Sequence, residues 1–255
     1  MKSCWPTAIL TLVISVAVIP LVAAGDWPGW RGPGRNGVTA DSGVPLTWST
    51  SENVLWKVPL SGAGISSPAV WEDRVFITAS EGSDHSELRV LCLDRRTGEE
   101  RWVQQLWGTS PTLFYPQSGM ASPSPVTDGT HLFAFFGTGD VFCFTMDGEL
   151  VWQRALADEY GRFQNRFAAS SSPLLYEDSL IVQCDHYGDS YVTCLDTRTG
   201  ASRWKADRPD AWHSWSSPQM VRSAKGHELI ISGSTKLAGY SPATGEPLWT
   251  VNGLA

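Results

Sequence analysis

The chain has 255 residues, 42% of them hydrophobic and 18% charged, which is enough apolar material for a sizeable core and too little charge for disorder. Lys and Arg number 19 against 26 Asp and Glu, a net charge of −7 that argues against nucleic acid as a partner, because phosphate binding needs a basic surface. Thirteen tryptophans exceed ordinary usage, and their spacing organises the sequence.

Residues 1–25, MKSCWPTAILTLVISVAVIPLVAAG, read as a signal peptide. Lys2 is a short basic head, Ala8 to Val22 an apolar run, and Val22, Ala23, Ala24 and Gly25 are small residues suited to cleavage. The run holds 15 residues including Pro20, short of the roughly 20 a bilayer-spanning helix needs. Export to the periplasm or cell envelope is expected, with no membrane span after cleavage. Cys4 lies ahead of the apolar run and no Cys sits just after the cleavage region, so a lipid anchor is not indicated.

Residues 26–52 form a Gly/Pro/Trp-rich arm. Gly32-Pro33-Gly34-Arg35-Asn36-Gly37 fits a G-x-G-x-x-G pattern, but no strand precedes it, no helix follows and Pro33 interrupts it, so a dinucleotide site is rejected. The arm is read as lying on the fold, with Trp27 and Trp30 as packing anchors. Next, NVLWKVPL at 53–60 reads as a lone strand carrying Trp56.

A repeat then sets in. CLDRRTGEERW at 92–102 returns as CLDTRTGASRW at 194–204, and a Gly-x-x-x-Trp pattern recurs at Gly98/Trp102, Gly148/Trp152, Gly200/Trp204 and Gly245/Trp249. From Trp56 onward the Trp residues step by 46, 50, 52 and 45 residues, a period that signals a propeller or solenoid. Ser-Pro pairs ending at Pro68, Pro125, Pro173 and Pro218 mark the start of each unit. Between the markers lie a short apolar stretch, a polar turn such as WEDR or TDGT, a dense apolar run such as LFAFF or LIVQC, a third strand such as YVTCLD, and the Trp strand. Runs of four or five apolar residues suit strands buried on both faces. The reading is therefore an all-β propeller of four-stranded antiparallel blades at about 64–106, 122–156, 169–208 and 214–253, with few helices.

The repeated phrase has a physical rationale. Asp94 and Asp196 can cap a tight turn, the four Gly residues can supply positive φ, and each Trp should pack between neighbouring blades. Burying roughly 200 Å² of indole at about 25 cal/mol per Å² contributes on the order of 5 kcal/mol per blade before entropy is counted. Cys92, Cys143, Cys194 and Gly239 stand nine or ten residues before the Trp, where a bulky indole needs a small neighbour. Equivalent positions one blade apart lie beyond the roughly 7 Å limit for a disulfide, so free buried thiols are expected.

The Leu-Asp-x-x-Thr-Gly-x-x-x-Trp phrase resembles the tryptophan-docking repeat of pyrroloquinoline quinone (PQQ) dehydrogenase-type propellers, which outer-membrane protein assembly factor B shares. The stretch DWPGWRGPGRNGV, followed by NVLWKVPLSGAGISSPAVWEDRVFIT, is similar to the start of exported bacterial PQQ-like repeat proteins. The resemblance covers nearly all of residues 26–255. It is specific for the fold, although the second copy is degenerate, and unspecific for activity. Trp56 in this frame is an orphan fourth strand, and blade four already supplies its own, so the expectation is an incomplete ring with further C-terminal blades missing from a total of about seven or eight.

In such a blade the loops joining strand two to three and blade to blade share one face. Here that face is long and varied, and long loops on a rigid scaffold are where binding concentrates. Its candidate ligand-binding residues are Tyr115, Arg162, Gln164, Arg166, His186, Asp189, Trp212, His213 and Trp215. The competing assignment gives them strand-end caps, turns and cover for the propeller mouth. Asp185, His186 and Asp189 lie within five residues, but such a set commonly marks a polar turn, so no metal site is assigned. No catalytic set can be assigned from spacing either. The preferred reading is a non-catalytic binding or scaffolding module for an envelope protein or small ligand. The alternative implied by the resemblance is a quinoprotein dehydrogenase of alcohols or sugars, with PQQ and Ca²⁺ in the central funnel. An adjacent Cys-Cys pair, present in several such enzymes, is absent here.

Overall fold

The computed structural model describes residues 25–253; the export signal read at 1–25 therefore lies almost wholly outside the described residues. Four antiparallel sheets of four strands follow one another along the chain. The first holds β1 (Ala69–Trp71), β2 (Arg74–Glu81), β3 (Glu87–Asp94) and β4 (Glu100–Trp107), and the second β5 (Val126–Thr127), β6 (His131–Phe135), β7 (Asp140–Thr145) and β8 (Leu150–Ala155). After one short helix, α1 (Leu156–Tyr160), come β9 (Leu174–Tyr176), β10 (Ser179–Cys184), β11 (Tyr191–Asp196) and β12 (Ser202–Asp207). The fourth sheet holds β13 (Gln219–Ser223), β14 (Gly226–Ser232), β15 (Lys236–Tyr240) and β16 (Pro247–Asn252). The result is an incomplete β-propeller. No helix among the described residues is long and apolar enough to cross a membrane.

The apolar runs are continuous because each inner strand serves two interfaces. In β6, Phe133 and Phe135 pack toward the third blade, while Leu132 and Ala134 pack toward the first. In β10, Leu180, Val182 and Cys184 face the second blade and Ile181 the fourth. The period of two thus alternates between neighbouring blades rather than between core and solvent.

Each blade carries the same irregularity. Register shifts after Cys92, Cys143, Cys194 and Gly239, and each of these is the cross-strand partner of its blade's Trp. A Cβ at Gly239 would lie 2.4 Å from the Trp249 indole, so the position opposite the Trp must be small. The thiols of Cys92, Cys143, Cys184 and Cys194 are all buried and free.

The indoles reach forward by one blade. Trp56, Trp102, Trp152 and Trp204 lie against Gly98, Gly148, Gly200 and Gly245, where an added Cβ would come within 2.4–2.7 Å of the ring. Each indole N–H also donates to that turn, to the carbonyl oxygens of Arg95, Met146, Thr197 and Pro242 at 2.9–3.1 Å. Trp249 instead donates to Glu228 Oε2 at 2.7 Å and is 37% exposed. The receiving turns are built by Asp94 and Asp196, whose Oδ1 atoms accept two backbone N–H groups each at 2.8–3.1 Å. Arg101 then joins Asp94 to Asp73, and Arg203 joins Asp196 to Asp178, so one guanidinium ties together both short turns of its blade.

A second set of contacts repeats on the inner rim. Ser67 N donates to Ser124 Oγ, Ser124 N to Ser172 Oγ and Ser172 N to Ser217 Oγ, at 2.9–3.0 Å. The Ser-Pro markers are thus inter-blade latches. The arm runs along these inner strands: Trp27 exchanges two 2.8 Å backbone bonds with Val70, Thr127 N donates to Pro28 O, and Arg35 donates to Leu175 O.

One expectation is corrected. The segment read as a lone strand, residues 53–60, forms none, because a strand requires a hydrogen-bonded neighbour and this segment has none among the described residues. Its Trp56 nevertheless occupies the same seat as the other indoles.

Candidate binding mouth on the loop-rich face

Four inter-strand segments meet on this face and are sewn to one another by hydrogen bonds to main-chain carbonyl oxygens. Ala168 N donates to Leu113 O at 2.8 Å, and Thr112 Oγ1 to Phe163 O at 3.1 Å, joining the loop after β4 to the loop after α1. Tyr187 N donates to Gln164 O at 3.2 Å, and Arg208 N to Ser190 O at 2.8 Å, extending the seam to the loops after β10 and β12.

Aromatic groups line up across the seam. Phe167 and Trp215 have ring centroids 6.0 Å apart, Trp215 and His213 4.9 Å, and His213 and Tyr187 4.4 Å, with the Arg166 guanidinium 5.9 Å from the Tyr187 ring centre. Trp215 is 42% exposed, and Tyr115, Phe167, Tyr187 and Trp212 are exposed as well. Beside this row opens a cavity of about 360 Å³ lined by Ile65, Tyr115, Gln117, Phe167, Ser170 and Trp215. A deeper one of about 300 Å³ shares Ile65, Ser170 and Trp215 and is floored by Trp30 of the arm and by the serine latches.

The sequence candidates separate into groups. Arg166, His213 and Trp215 come together in the aromatic row, and Tyr115 stands across the cavity. Arg162 and Gln164 are exposed, and Gln164 is joined to the row through its carbonyl oxygen, which accepts from Tyr187 N. His186, Asp189 and Trp212 belong to a separate side cleft of about 710 Å³, together with Tyr160, Lys205 and Arg208. His186 is buried against Phe163, and its Nδ1 accepts from Gly188 N at 3.0 Å, so its proton sits on Nε2. Burial pushes its pKa down and keeps it neutral. No group of three His, Cys, Asp or Glu side chains among the described residues could hold a metal ion.

Sequence reasoning missed two aromatics of the row, and it read Asp185 only as part of a polar turn, not as half of a buried ion pair. Tyr187 and Phe167 belong to the row, but the aromatic candidates chosen were Tyr115, Trp212 and Trp215; the signal was a further aromatic in the loops after α1 and β10. Arg208 and Asp185 form an ion pair whose side chains are both fully buried, with Nε–Oδ1 and Nη2–Oδ2 contacts of 2.7 and 3.0 Å. Arg208 also donates to Tyr240 Oη at 2.8 Å, and Gln183 Nε2 bonds Asp185 Oδ2 and Ser232 O. This network fastens blade three to blade four. It takes Asp185 out of any ligand site.

Four radially repeated sheets, latched by Trp on the outer rim and Ser on the inner rim, define a β-propeller of PQQ-like repeats. The chain belongs to the family described as outer membrane protein assembly factor BamB, whose family model matches residues 34–250. None of the curated proteins compared with it matches. Among solved structures it is similar to BamB from Moraxella catarrhalis, with TM-score 0.56 and 15% identity over 76% of this chain and 54% of that one. It is also similar to quinohemoprotein alcohol dehydrogenases from Pseudomonas putida HK5 (TM-score 0.53, 13% identity, 77% of this chain and 35% of that one) and Comamonas testosteroni (TM-score 0.51, 15% identity, 75% and 34%). The chain thus spans about half of the BamB chain and a third of the dehydrogenases, and the likeness concerns the fold alone.

Proposed function

We propose that this protein is a non-catalytic binding or scaffolding propeller of the bacterial cell envelope, taking a partner protein or small ligand on its loop-rich face. The observation that carries the reading is the Phe167–Trp215–His213–Tyr187 row, exposed at Phe167, Trp215 and Tyr187 and half-buried at His213, with Arg166 at its end. Exposed aromatics beside an arginine are the residue types enriched where interfaces are strongest. The family match supports the envelope setting, in keeping with the apolar N-terminal run.

The dehydrogenase alternative rests on the quinohemoprotein neighbours. A quinone held with Ca²⁺ needs a shell of oxygen ligands, carboxylates among them. Among the described residues, the lining of the two mouth cavities contains no carboxylate, which supports the binding reading.

The experiment has two arms. A photo-crosslinking side chain at position 215 should capture a defined envelope partner, with capture lost on Arg166→Ala, while the same group at Arg198 on the short-turn face captures none. Protein purified with PQQ and Ca²⁺ supplied should retain no quinone. Equal capture from both faces, or stoichiometric quinone with dye-linked alcohol oxidation, would reverse the proposal.

A further inference from the structure

The arm carries an arginine into the propeller's inner rim without a counter-charge. Arg35 donates through Nη2 to the Leu175 carbonyl oxygen, while Nη1 is buried and has no hydrogen-bond partner. No carboxylate pairs with it among the described residues, and burial alone lowers its pKa to about 10, leaving it cationic at neutral pH. A desolvated cation with an unmade hydrogen bond is costly unless a partner compensates it.

The surroundings supply further donors. A cavity of about 60 Å³ beside Arg35 is lined by Trp30, Thr127, Ser172, Ser217 and Gln219. Ser172 Oγ and Ser217 Oγ each accept a backbone N–H in the serine latch, so their hydroxyl protons point away from it, and neither proton meets an acceptor among the described residues. Thr127 is different: its hydroxyl is committed to the His131 carbonyl oxygen at 2.7 Å. A free guanidinium N–H and two free hydroxyls therefore border a space of a few water volumes, with no acidic side chain in its lining.

The geometry points to an anion site: we propose that a monovalent anion, a halide or a carboxylate group, binds between Arg35, Ser172 and Ser217 and fastens the N-terminal arm to the third blade. The cavity shares Trp30, Ser172 and Ser217 with the deeper mouth cavity and so lies directly behind it, whereas Arg35 lines this cavity and not the mouth.

Chloride binding to the full chain is read by ³⁵Cl line broadening, titrated at constant ionic strength with methanesulfonate, which is neither a halide nor a carboxylate, as the balancing salt. Saturable broadening is expected in the wild type, displaced by formate, and at least tenfold weaker in Arg35→Gln. If chloride gives no broadening but formate raises the melting temperature of the wild type and not of Arg35→Gln, the site takes carboxylates. Arg35→Lys, which keeps the charge, serves as the control for folding and should retain part of the effect. Broadening that does not saturate, or persists unchanged in Arg35→Gln, and a formate response equal in both proteins, would overturn the site and leave water as the partner of Nη1.

Discussion

The Trp152 ring lies against Gly200 of the following blade, and its Nε1 donates to the Thr197 carbonyl oxygen at 2.9 Å. Gly200 holds φ at +71°, and a Cβ there would sit 2.7 Å from the indole. One position thus meets both a backbone and a steric requirement. Gly200→Ala should destabilise by about 2–4 kcal/mol, combining the left-handed backbone penalty with displacement of the ring. Trp204→Ala, at the next interface, should cost about 3–5 kcal/mol. Equilibrium urea unfolding measures both, and a loss under 1 kcal/mol in either would mean that the latch is not a main source of blade cohesion.

The Asp185–Arg208 pair makes a different prediction. Removing one partner strands a buried charge, so Arg208→Met should cost about 3–5 kcal/mol. Replacing both, as Asp185→Leu with Arg208→Met, should recover more than half of that loss, because the pair's own desolvation cost is removed with it. If the double variant is as unstable as the single one, the network contributes through geometry rather than charge.

Acid sensitivity should map to the short-turn face. Hydrogen bonds from Arg101 and Arg203 hold Asp94 and Asp196 well below the usual carboxylate range. A carboxylate depressed in the folded state stabilises above its unfolded value of about 4, and that contribution is lost as pH falls below it. Unfolding free energy between about pH 5 and pH 2 should therefore drop more steeply in the wild type than in Arg101→Gln/Arg203→Gln. Parallel pH profiles would show these exposed pairs to be thermodynamically silent.

The fold was legible because its rules are local and repeated. Gly, Trp and a small residue recur at fixed offsets, and each position has one physical demand to meet. The Ser-Pro markers were visible as punctuation, but their bonding to the next blade could not be read, since each hydroxyl finds its donor 45 to 57 residues away. The site was less legible for the same reason. Tyr187 meets His213 across two loops, and Arg208 meets Asp185 across 23 residues with no periodic pattern to announce it. Residues 53–60 show the converse: strand-like composition without a hydrogen-bonded neighbour gives no strand.

The thiols offer a direct check on burial. Desolvation raises Cys92 and Cys143 to about 12, and Cys184 and Cys194 are shifted in the same direction. Thiolate is the reactive form, so all four should resist Ellman's reagent at pH 8 in the native protein and react once it is denatured without reductant. Rapid native labelling of any of them would show that a blade interface opens readily.

Oxidative footprinting separates the two populations of tryptophan that the structure defines. Trp212 and Trp215 present their rings to solvent on the loop-rich face, whereas Trp102, Trp152 and Trp204 are partly buried between a neighbouring glycine turn and their own blade. Brief hydroxyl-radical exposure followed by peptide mass analysis should modify Trp212 and Trp215 first, with the latch residues protected several-fold. If the mouth is a binding surface, a bound partner should protect Trp215 and leave Trp107, exposed at the end of β4, as reactive as before. Protection of both would indicate general burial, and protection of Trp107 alone would move the interface away from the aromatic row. Arg166→Ala should cancel the protection at Trp215 without altering the latch residues, because Arg166 is an exposed loop residue whose guanidinium lies over the Tyr187 ring.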